Sequence, residues 1–231
     1  NTLSSSVSTN SYMHSFETNN STDLRAIHYH TSSPSSDPLF SSYPSGPLAR
    51  EFYYGIGTVP YALINGNQPL NLANTVGNQT IIERESLMDP FFDLSVNCSQ
   101  GESVIIIISA NALEGFSGKD FSLHCAIVEK QVEIGNAPNG EPVFYNVLRE
   151  FLPNPGGTYL PSTMNSGNTV SREFIWSPTN IHSLSNARVV AFVQNNSTKE
   201  VVQSAYFDLS SITTNPVFYS SLKVNLYPNP A

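Results

Sequence analysis

The sequence predicts an α/β region followed by an all-β sandwich. Residues 1–87 mix helix and strand signals, whereas residues 88–213 contain short runs in which apolar side chains recur at every second position. Several such runs separated by Gly, Pro, Asn and Ser are typical of a β-sandwich. We therefore place a domain boundary near residue 87 and treat residues 214–231 as a linker beyond the sandwich.

The first region predicts alternating helices and strands. The stretch "SSSVSTNSYMHSF" combines serines suited to a helix start with apolar residues on roughly one helical face. "DLRAIHYH", residues 23–30, predicts a strand, and a loop rich in Ser and Pro follows it. "SGPLAREFYYG" predicts a short helix that Ser45 caps and Gly55 ends.

A proline opens the next predicted strand, "PYALI" at residues 60–64. Proline cannot donate to a sheet ladder, so it belongs at a strand's first residue, at an edge or at a bulge. Such a position is also one where a cis X–Pro bond is found. Asn65 and Gly66 then predict a tight turn, and "NQTIIERESLM" predicts a further helix.

The second region predicts strands at "FFDLSVNC", "FSLHCAIVE", "VSREFIW", "ARVVAFVQ" and "KEVVQSAYF", with "QNNSTK" as the turn of the last hairpin. The connection over residues 153–169 is longer than usual. Connections of that length are often functional or disordered, so we treat this one as a candidate contact surface.

The composition excludes several classes of function. Only 12% of the residues are charged and the net charge is −8, against roughly 25% charged residues in an average domain. Lys and Arg form no cluster, so we expect no nucleic-acid partner. The longest apolar run, "SVIIIISA", is far too short to cross a bilayer, so we expect no transmembrane segment. This composition suits an exported bacterial protein or an all-β surface protein.

The cysteines and histidines predict neither a metal site nor a cofactor. Cys98 and Cys125 are too few for a disulfide framework, and the period-two pattern places both on the inner face of the sandwich. On strands one and three of a meander they would lie roughly 9–10 Å apart, so we expect buried free thiols. His28 and His30 share one side of a predicted strand, but no acidic or cysteine partner lies at informative spacing.

The element order of residues 1–87 resembles a thioredoxin-like domain. In that family a cis-proline opens the strand beside the redox site and helps to hold an extended substrate. Pro60, preceded by Val59, matches that position, so the resemblance implies a cis Val59–Pro60 bond and a binding surface there.

The redox motif of the thioredoxin-like family is absent from this sequence. The place of its Cys-x-x-Cys is taken by "NTLSSSVSTN", with Ser5 and Ser8 at the matching spacing. Disulfide exchange requires a thiolate, which serine cannot supply. The resemblance also implies that His30, at the end of its predicted strand, faces this helix start.

The wider chain resembles the Omp28-related family of Bacteroidetes. The matching stretches are "LRAIHYHTSSPSSDPLF", "AREFYYGIGTVPYALING", "VFYNVLREFLP" and "VVAFVQNNSTKEVVQSA". Members are exported proteins with a thioredoxin-like half and a β-sandwich half. "VNLYPNPA", residues 224–231, resembles the opening of a type IX secretion C-terminal sorting domain. The two resemblances imply an extracellular or outer-membrane location and the type IX secretion machinery as a partner.

These observations favour a redox-inactive binding or adhesion module, and not an enzyme. We expect a peptide, protein or glycan ligand, with Val59, Pro60, Ser5, Ser8 and His30 as candidate contacts and no catalytic residue. Two alternatives stay open. One is a thiol–disulfide oxidoreductase whose cysteines lie outside this segment. The other is a carbohydrate-active enzyme or other hydrolase with paired carboxylates at a cleft.

The thioredoxin-like resemblance raises one question about the sheet. Such a sheet has a central strand before the redox motif, and only residues 1–3 precede the serines here. An unfilled slot would leave buried backbone groups unpaired. We therefore expect residues 217–227, of the same chain or of a neighbouring copy, to pair beside the predicted strands 23–30 and 60–64. The alternative is that the native protein has further residues before Asn1 that fill this position.

Overall fold

The structure, a computed structural model, describes residues 2, 4–32, 37–72 and 75–212, and these residues form three layers. Two β-sheets pack face to face around the main apolar core. The helices and loops of the first region form the third layer, which covers the outer face of the larger sheet.

The third layer, here the N-terminal layer, contains four helices and a short hairpin among its described residues. A 3-10 turn over Ser4–Ser6 leads into the first helix. The elements are α1 (Val7–Asn19), α2 (Pro38–Ser42), α3 (Ser45–Tyr54), β1 (Leu63–Ile64), β2 (Gln68–Pro69) and α4 (Thr75–Ser86). Short 3-10 turns also occur later in the chain, at Leu184–Asn186 and Leu209–Ser211.

The sandwich contains eight strands. They are β3 (Phe92–Gln100), β4 (Val104–Ala112), β5 (Phe121–Glu133), β6 (Val143–Leu152), β7 (Thr158–Tyr159), β8 (Thr169–Trp176), β9 (Ala187–Asn195) and β10 (Val201–Asp208). The larger sheet has the order β10-β9-β5-β6, with β7 also paired to β5, and the smaller sheet has the order β3-β4-β8. All of these pairings are antiparallel.

Strand β5 is buried on both of its faces. Leu123 and Ile127 point into the core between the two sheets. Ala126 and Val128 alternate with them and pack beneath the N-terminal layer, together with Ile27 and Tyr29 of that layer. The larger sheet is therefore the central layer of the molecule, and its outer face is an internal surface.

The predicted strand over residues 23–30 is not a strand in the structure. Only His28 forms a bridge, parallel to Val147 of β6. The His28 N–H donates to the Asn146 carbonyl at 2.7 Å, and the Leu148 N–H donates to the His28 carbonyl at 3.0 Å. The segment thus finds its hydrogen bonds at the edge of the sandwich. In the part of the chain that is described, the N-terminal layer holds one two-stranded hairpin and no thioredoxin-like sheet.

Several local predictions for the N-terminal layer are confirmed. Asn65 and Gly66 have φ angles of 47° and 74°, as a tight hairpin turn requires. Gly55 ends α3 with φ 71°, and the Val59–Pro60 bond is cis. The predicted strand at residues 60–64 is shorter than expected, because only Leu63–Ile64 pairs.

The caps of α2 and α3 differ from the prediction. The N-cap of α3 is Pro44, so Ser45 is the first helical residue. Helix α2 lies where the sequence predicts a loop, and the Asp37 carboxylate starts it by accepting hydrogen bonds from the N–H groups of Leu39 and Phe40. Residues 217–227, predicted to fill a sheet position, lie outside the described residues.

The long connection over residues 153–169 is attached to the sandwich at several points. Within it, β7 pairs with β5, and Met164 forms a bridge with Phe116. Leu160 and Met164 are buried in the main core. Burial of these side chains holds the connection against the sheets, and its role as a contact surface stays a prediction.

Candidate ligand-binding cavity

A cavity of about 330 Å³ lies between the N-terminal layer and the outer face of the larger sheet. Helices α1 and α3, the segment over residues 23–31 and the β1–β2 hairpin enclose it on one side, and β9 and β10 close it on the other. Its lining is mainly apolar, with Met13, Leu24, Ile27, Ile56, Val59, Pro60, Leu63, Leu70, Val190 and Phe192 among its members.

The segment that carries Pro60 forms part of this lining. Val59 and Pro60, both candidate contacts from the sequence, line the cavity with their neighbours Tyr61 and Ala62. Gly55 reverses the chain at the end of α3 and directs the segment back across the layer. The predicted proline surface is therefore part of the wall of a half-open recess.

Arg50 is the buried cation of the cavity. Its side chain projects from α3, and the residue is only 3% exposed. Nη2 donates to the Tyr54 hydroxyl at 2.6 Å and to Gln194 Oε1 at 2.7 Å. Nε is buried without a hydrogen-bond partner. Among the residues the structure describes, no carboxylate forms an ion pair with Arg50.

Aromatic rings surround the guanidinium group of Arg50. Its Cζ lies 4.8 Å from the ring centroids of both Tyr53 and Tyr54, and 5.7 Å from that of Phe192. Cation–π attraction therefore compensates part of the lost hydration. Burial raises the pKa of the nearby Tyr29 hydroxyl, while the positive charge of Arg50 works in the opposite direction. Tyr29 is thus neutral at physiological pH, and its oxygen accepts a hydrogen bond from Arg50.

The β1–β2 turn is fastened to the β9–β10 hairpin beside the cavity. The Val201 N–H donates to the Asn65 carbonyl at 2.8 Å. Gln194 Nε2 donates to the Lys199 carbonyl at 2.6 Å and to the Tyr54 hydroxyl at 3.0 Å. A Cβ on Gly66 would lie 2.4 Å from the Lys199 carbonyl oxygen, so only glycine fits at this contact.

Two glutamates also line the cavity, and their surroundings differ. Glu17 accepts from Asn146 Nδ2 at 2.9 Å and contacts His28 Nε2 at 2.6 Å, so both of its oxygens have partners. Glu51 has one oxygen, Oε2, that is buried without a hydrogen-bond partner. Glu51 is therefore a polar group whose bonding capacity the described residues do not fill.

His124 lies on the outer face of β5, close to the Arg50 side chain. Its ring stacks on Phe192 with 4.6 Å between centroids, and both ring nitrogens are buried without a hydrogen-bond partner. Burial lowers the pKa of His124 to about 3, and the Arg50 charge adds to this effect. The imidazole is consequently neutral at pH 7.

The other sequence candidates do not gather at the cavity. His30 is buried against Asp37, with 2.8 Å between Nδ1 and Oδ2, although its neighbours Tyr29 and Thr31 line the cavity. Burial lowers the pKa of His30 to about 4, while its hydrogen bond to Asp37 acts in the opposite sense. Ser8 is exposed on α1, and the side chain of Ser5 lies outside the described part of the structure.

The two cysteines are free thiols away from the cavity. Cys98 on β3 and Cys125 on β5 both belong to the core between the sheets, as predicted. The predicted arrangement of their strands as the first and third of one meander is wrong, because β3 and β5 lie in opposite sheets. Burial raises the pKa of Cys98 to about 12 and raises that of Cys125 as well.

Neither a metal cluster nor a membrane-crossing helix occurs in the described residues. No group of three or more His, Cys, Asp or Glu side chains in that part of the chain has the arrangement to hold a metal ion. Each helix found there is too short or too polar to traverse a bilayer.

Sequence reasoning missed Arg50, the central polar residue of the cavity. Tyr53 and Tyr54 follow it at the i+3 and i+4 positions, which places all three on one side of α3. That spacing is the only local signal. The burial of the cation and its bond to Gln194, 144 positions away in the sequence, become visible only in the fold.

The described residues thus define a β-sandwich whose outer face is covered by a helical layer with an apolar cavity at the junction. No protein-family model and no curated protein matches the sequence. HBP35 of Porphyromonas gingivalis has a similar fold, with a TM-score of 0.65 and 13% identity over 85% of this chain and 66% of that chain. This chain therefore spans about two thirds of the length of HBP35.

Two further solved structures match about half of the chain. A domain of the outer membrane lipoprotein Omp28 from Porphyromonas gingivalis has a TM-score of 0.37 and 14% identity over 52% of this chain and 89% of that chain. A calcium-binding mutant of Bacteroides uniformis β-glucuronidase 2 has a TM-score of 0.28 and 13% identity over 50% of this chain and 12% of that chain. The similarity to HBP35 establishes a shared fold, and none of these matches assigns an activity.

Proposed function

We propose that this protein is an exported or cell-surface binding module of Bacteroidetes that holds its ligand in the cavity beneath the Pro60 segment. The carrying observation is the cavity itself, which is a half-open recess with a mainly apolar wall and a buried cation. Recessed apolar sites with a few convergent polar groups are the usual form of ligand-binding sites. The ligand is a peptide, a protein segment or a glycan, and Val59 and Pro60 contact it.

The exported location and family membership rest on the sequence resemblance and the fold. The stretches resembling Omp28-related proteins extend over both regions, and a Porphyromonas gingivalis protein shares the fold. Within the proposal, residues 224–231 engage the type IX secretion machinery, and residues 1–87 are a diverged thioredoxin-like domain.

The proposed function is recognition without redox chemistry. Neither Cys98 nor Cys125 is among the cavity-lining residues, and burial raises the pKa of both thiols far above physiological pH. A nucleophilic thiolate is therefore lacking at the Pro60 surface.

Binding is tested with 1-octanol as a neutral apolar probe and amide chemical shifts as the readout. We expect octanol to shift the amides of Tyr61, Leu63 and Phe192, and Ala62→Trp to abolish these shifts by filling the cavity. Ile107→Trp, on the exposed face of the smaller sheet, is the matched control and should leave them unchanged. Octanol shifts that are absent, or that survive Ala62→Trp, would contradict a ligand site at this cavity.

Redox inactivity is tested by insulin reduction with dithiothreitol. The wild-type protein and the Cys98→Ser/Cys125→Ser double variant should both match the background rate. Turnover above background that is lost in the double variant would instead favour the thiol–disulfide alternative.

A further inference from the structure

We infer that the cavity takes an amphipathic carboxylate, whose anionic group pairs with Arg50 and whose apolar part lies against the cavity wall. This inference rests on the proposed function, because it presupposes that the cavity binds a ligand. It adds the chemical class of that ligand and the residue that selects it.

The first argument is the missing counter-ion of Arg50. Arginine is almost never fully buried unless it is paired, because removing its charge from water is expensive. Arg50 is 3% exposed, yet its hydrogen-bond partners Tyr54, Gln194 and Tyr29 are all neutral. A ligand carboxylate would supply the negative charge that no described residue provides to Arg50.

The second argument is the fixed orientation of the guanidinium group. Tyr54 and Gln194 hold Nη2 by two hydrogen bonds, and the rings of Tyr53 and Tyr54 flank the Cζ atom. Nε retains an unused N–H group. A guanidinium that is already oriented loses little rotamer freedom on pairing, and a carboxylate oxygen accepts a strong, charge-assisted hydrogen bond from such an N–H group.

The third argument is the character of the remaining wall. Side chains such as Met13, Ile27 and Val190 present hydrocarbon to the cavity, and most of its wall area is apolar although many polar side chains also reach it. The volume of about 330 Å³ is at the lower end of the range for ligand sites. Because Arg50 is the deeply buried cation of a wall that also carries carboxylates, the cavity suits a small monoanion with an apolar chain better than a doubly charged phosphate.

The other charged groups of the cavity do not take the role of Arg50. Arg25 also lines it and has an unpartnered Nε, but its Nη1 donates to the backbone carbonyls of Leu24 and Ser21 and its Cζ lies 4.0 Å from the Tyr206 ring. Glu17 is held by His28 and Asn146. Asp23, which accepts a hydrogen bond from Thr22 Oγ1, and Glu51 are the remaining anions. Their carboxylates oppose a bound anion, which limits the affinity.

The test compares octanoate with 1-octanol, which share an apolar chain and differ in charge. Isothermal titration of the wild-type protein should give an octanoate affinity at least about tenfold higher than that of octanol, the magnitude of a hydrogen bond to a charged group. Equal affinities, or tighter octanol binding, would overturn the carboxylate inference and leave the proposed function standing. Binding of neither probe would contradict the proposed function itself.

Variants of Arg50 assign the selectivity to this residue. Arg50→Met should abolish the preference for octanoate while octanol still binds, and retained octanol binding shows that the cavity has stayed folded. Arg50→Lys, which keeps the charge and loses the fork, should retain part of the preference. Arg84→Gln, at an exposed arginine on α4, is the matched control and should leave it unchanged. A preference for octanoate that survives in Arg50→Met would refute the assignment.

Two peptides then distinguish the source of the carboxylate. N-acetyl-Leu-Leu with a free carboxyl terminus is titrated beside its C-terminal amide. Tighter binding of the free acid than of octanoate identifies a peptide carboxyl terminus as the ligand, whereas tighter binding of octanoate identifies a free alkyl carboxylate. Equal binding of acid and amide in the wild-type protein would count against the inference.

Discussion

The β-sandwich and the N-terminal layer bury their apolar side chains in different ways. The sandwich encloses a core contributed by both of its own sheets. The N-terminal layer has one small cluster of its own around Phe16, Ile64 and Ile82. Its other buried apolar groups, including Ile27 and Tyr43, pack on the outer face of the larger sheet. The layer therefore depends on the sandwich for its structure, and the cavity lies where the two meet.

A truncation in the core of the sandwich gives the largest expected effect. Ile127→Ala removes a fully buried side chain from the sandwich core, and we expect a loss of about 4 kcal/mol in the free energy of unfolding. Urea denaturation measures this loss. Ile175→Ala, on the exposed face of β8, is the control and should change stability by less than about 0.5 kcal/mol. A loss of similar size in both variants would remove the distinction between core and surface.

Ile82→Ala tests the dependence of the N-terminal layer. The residue belongs to the small cluster of that layer, so we expect a loss of about 2 kcal/mol that is confined to the layer. Hydrogen exchange should become faster for amides of α1 and α4 and stay unchanged for those of β5 and β9. Equal acceleration in β5 would show that the two regions unfold as a single unit.

Asp37→Asn tests the polar anchor of α2. Burial opposes ionisation of Asp37, but hydrogen bonds from His30, Thr2 and the Phe40 N–H lower its pKa to about 2. Because this pKa is below the ordinary value, the stabilisation is present above about pH 4 and is lost toward pH 2. Asp37→Asn should therefore cost about 2 kcal/mol at pH 7.

Denaturation at pH 7 and pH 3 checks this expectation, since the difference between wild type and variant should shrink at the lower pH. Asp93→Asn, at an exposed position of β3, is the control. A constant difference at both pH values would show that the charge of Asp37 contributes nothing to the anchor.

His124→Phe is the smallest expected effect, and it has the opposite sign. The ring stack on Phe192 is kept, and two buried nitrogens without partners are removed. We expect a gain of about 1 kcal/mol at pH 7. The pKa of His124 is lowered to about 3, so the unfolded state takes up a proton first as the pH falls below about 6.5. The gain should therefore grow between pH 7 and pH 5.

Thermal denaturation across this pH range measures the change, with His14→Phe as the control at a partly exposed histidine. A loss of stability in His124→Phe would indicate that the imidazole nitrogens have partners, such as buried water.

Local patterns predicted the sandwich strands because apolar side chains alternate with polar ones wherever one face of a strand is buried. The same alternation misled for the other face of β5, where Ser122 and His124 suggest contact with solvent. The structure instead buries both residues, because a layer formed by a distant part of the chain covers them. Periodicity reports which side chains alternate, and it does not report what lies above them.

Long-range pairing limited the prediction in the N-terminal layer. Residues 23–30 have the alternation of a strand, but the partner of His28 is Val147, more than 100 positions away. The turn at Asn65 and Gly66 was predictable because its conformation is determined locally. Arg50 was not predictable as a site residue, since its significance depends on burial against β9.

The contact between Gly66 and Lys199 has a consequence for insertions into the chain. Hairpin tips are normally the places where proteins accept extra residues. The tip of the β9–β10 hairpin is different, because the Lys199 carbonyl lies too close to Gly66 to leave room for a Cβ. The same carbonyl accepts a hydrogen bond from Gln194, and the Val201 N–H donates to the Asn65 carbonyl. An epitope tag or fluorophore loop placed at residues 196–199 would push the β1–β2 turn away and open the cavity, whereas residues 135–140, the turn between β5 and β6, offer a site without that contact.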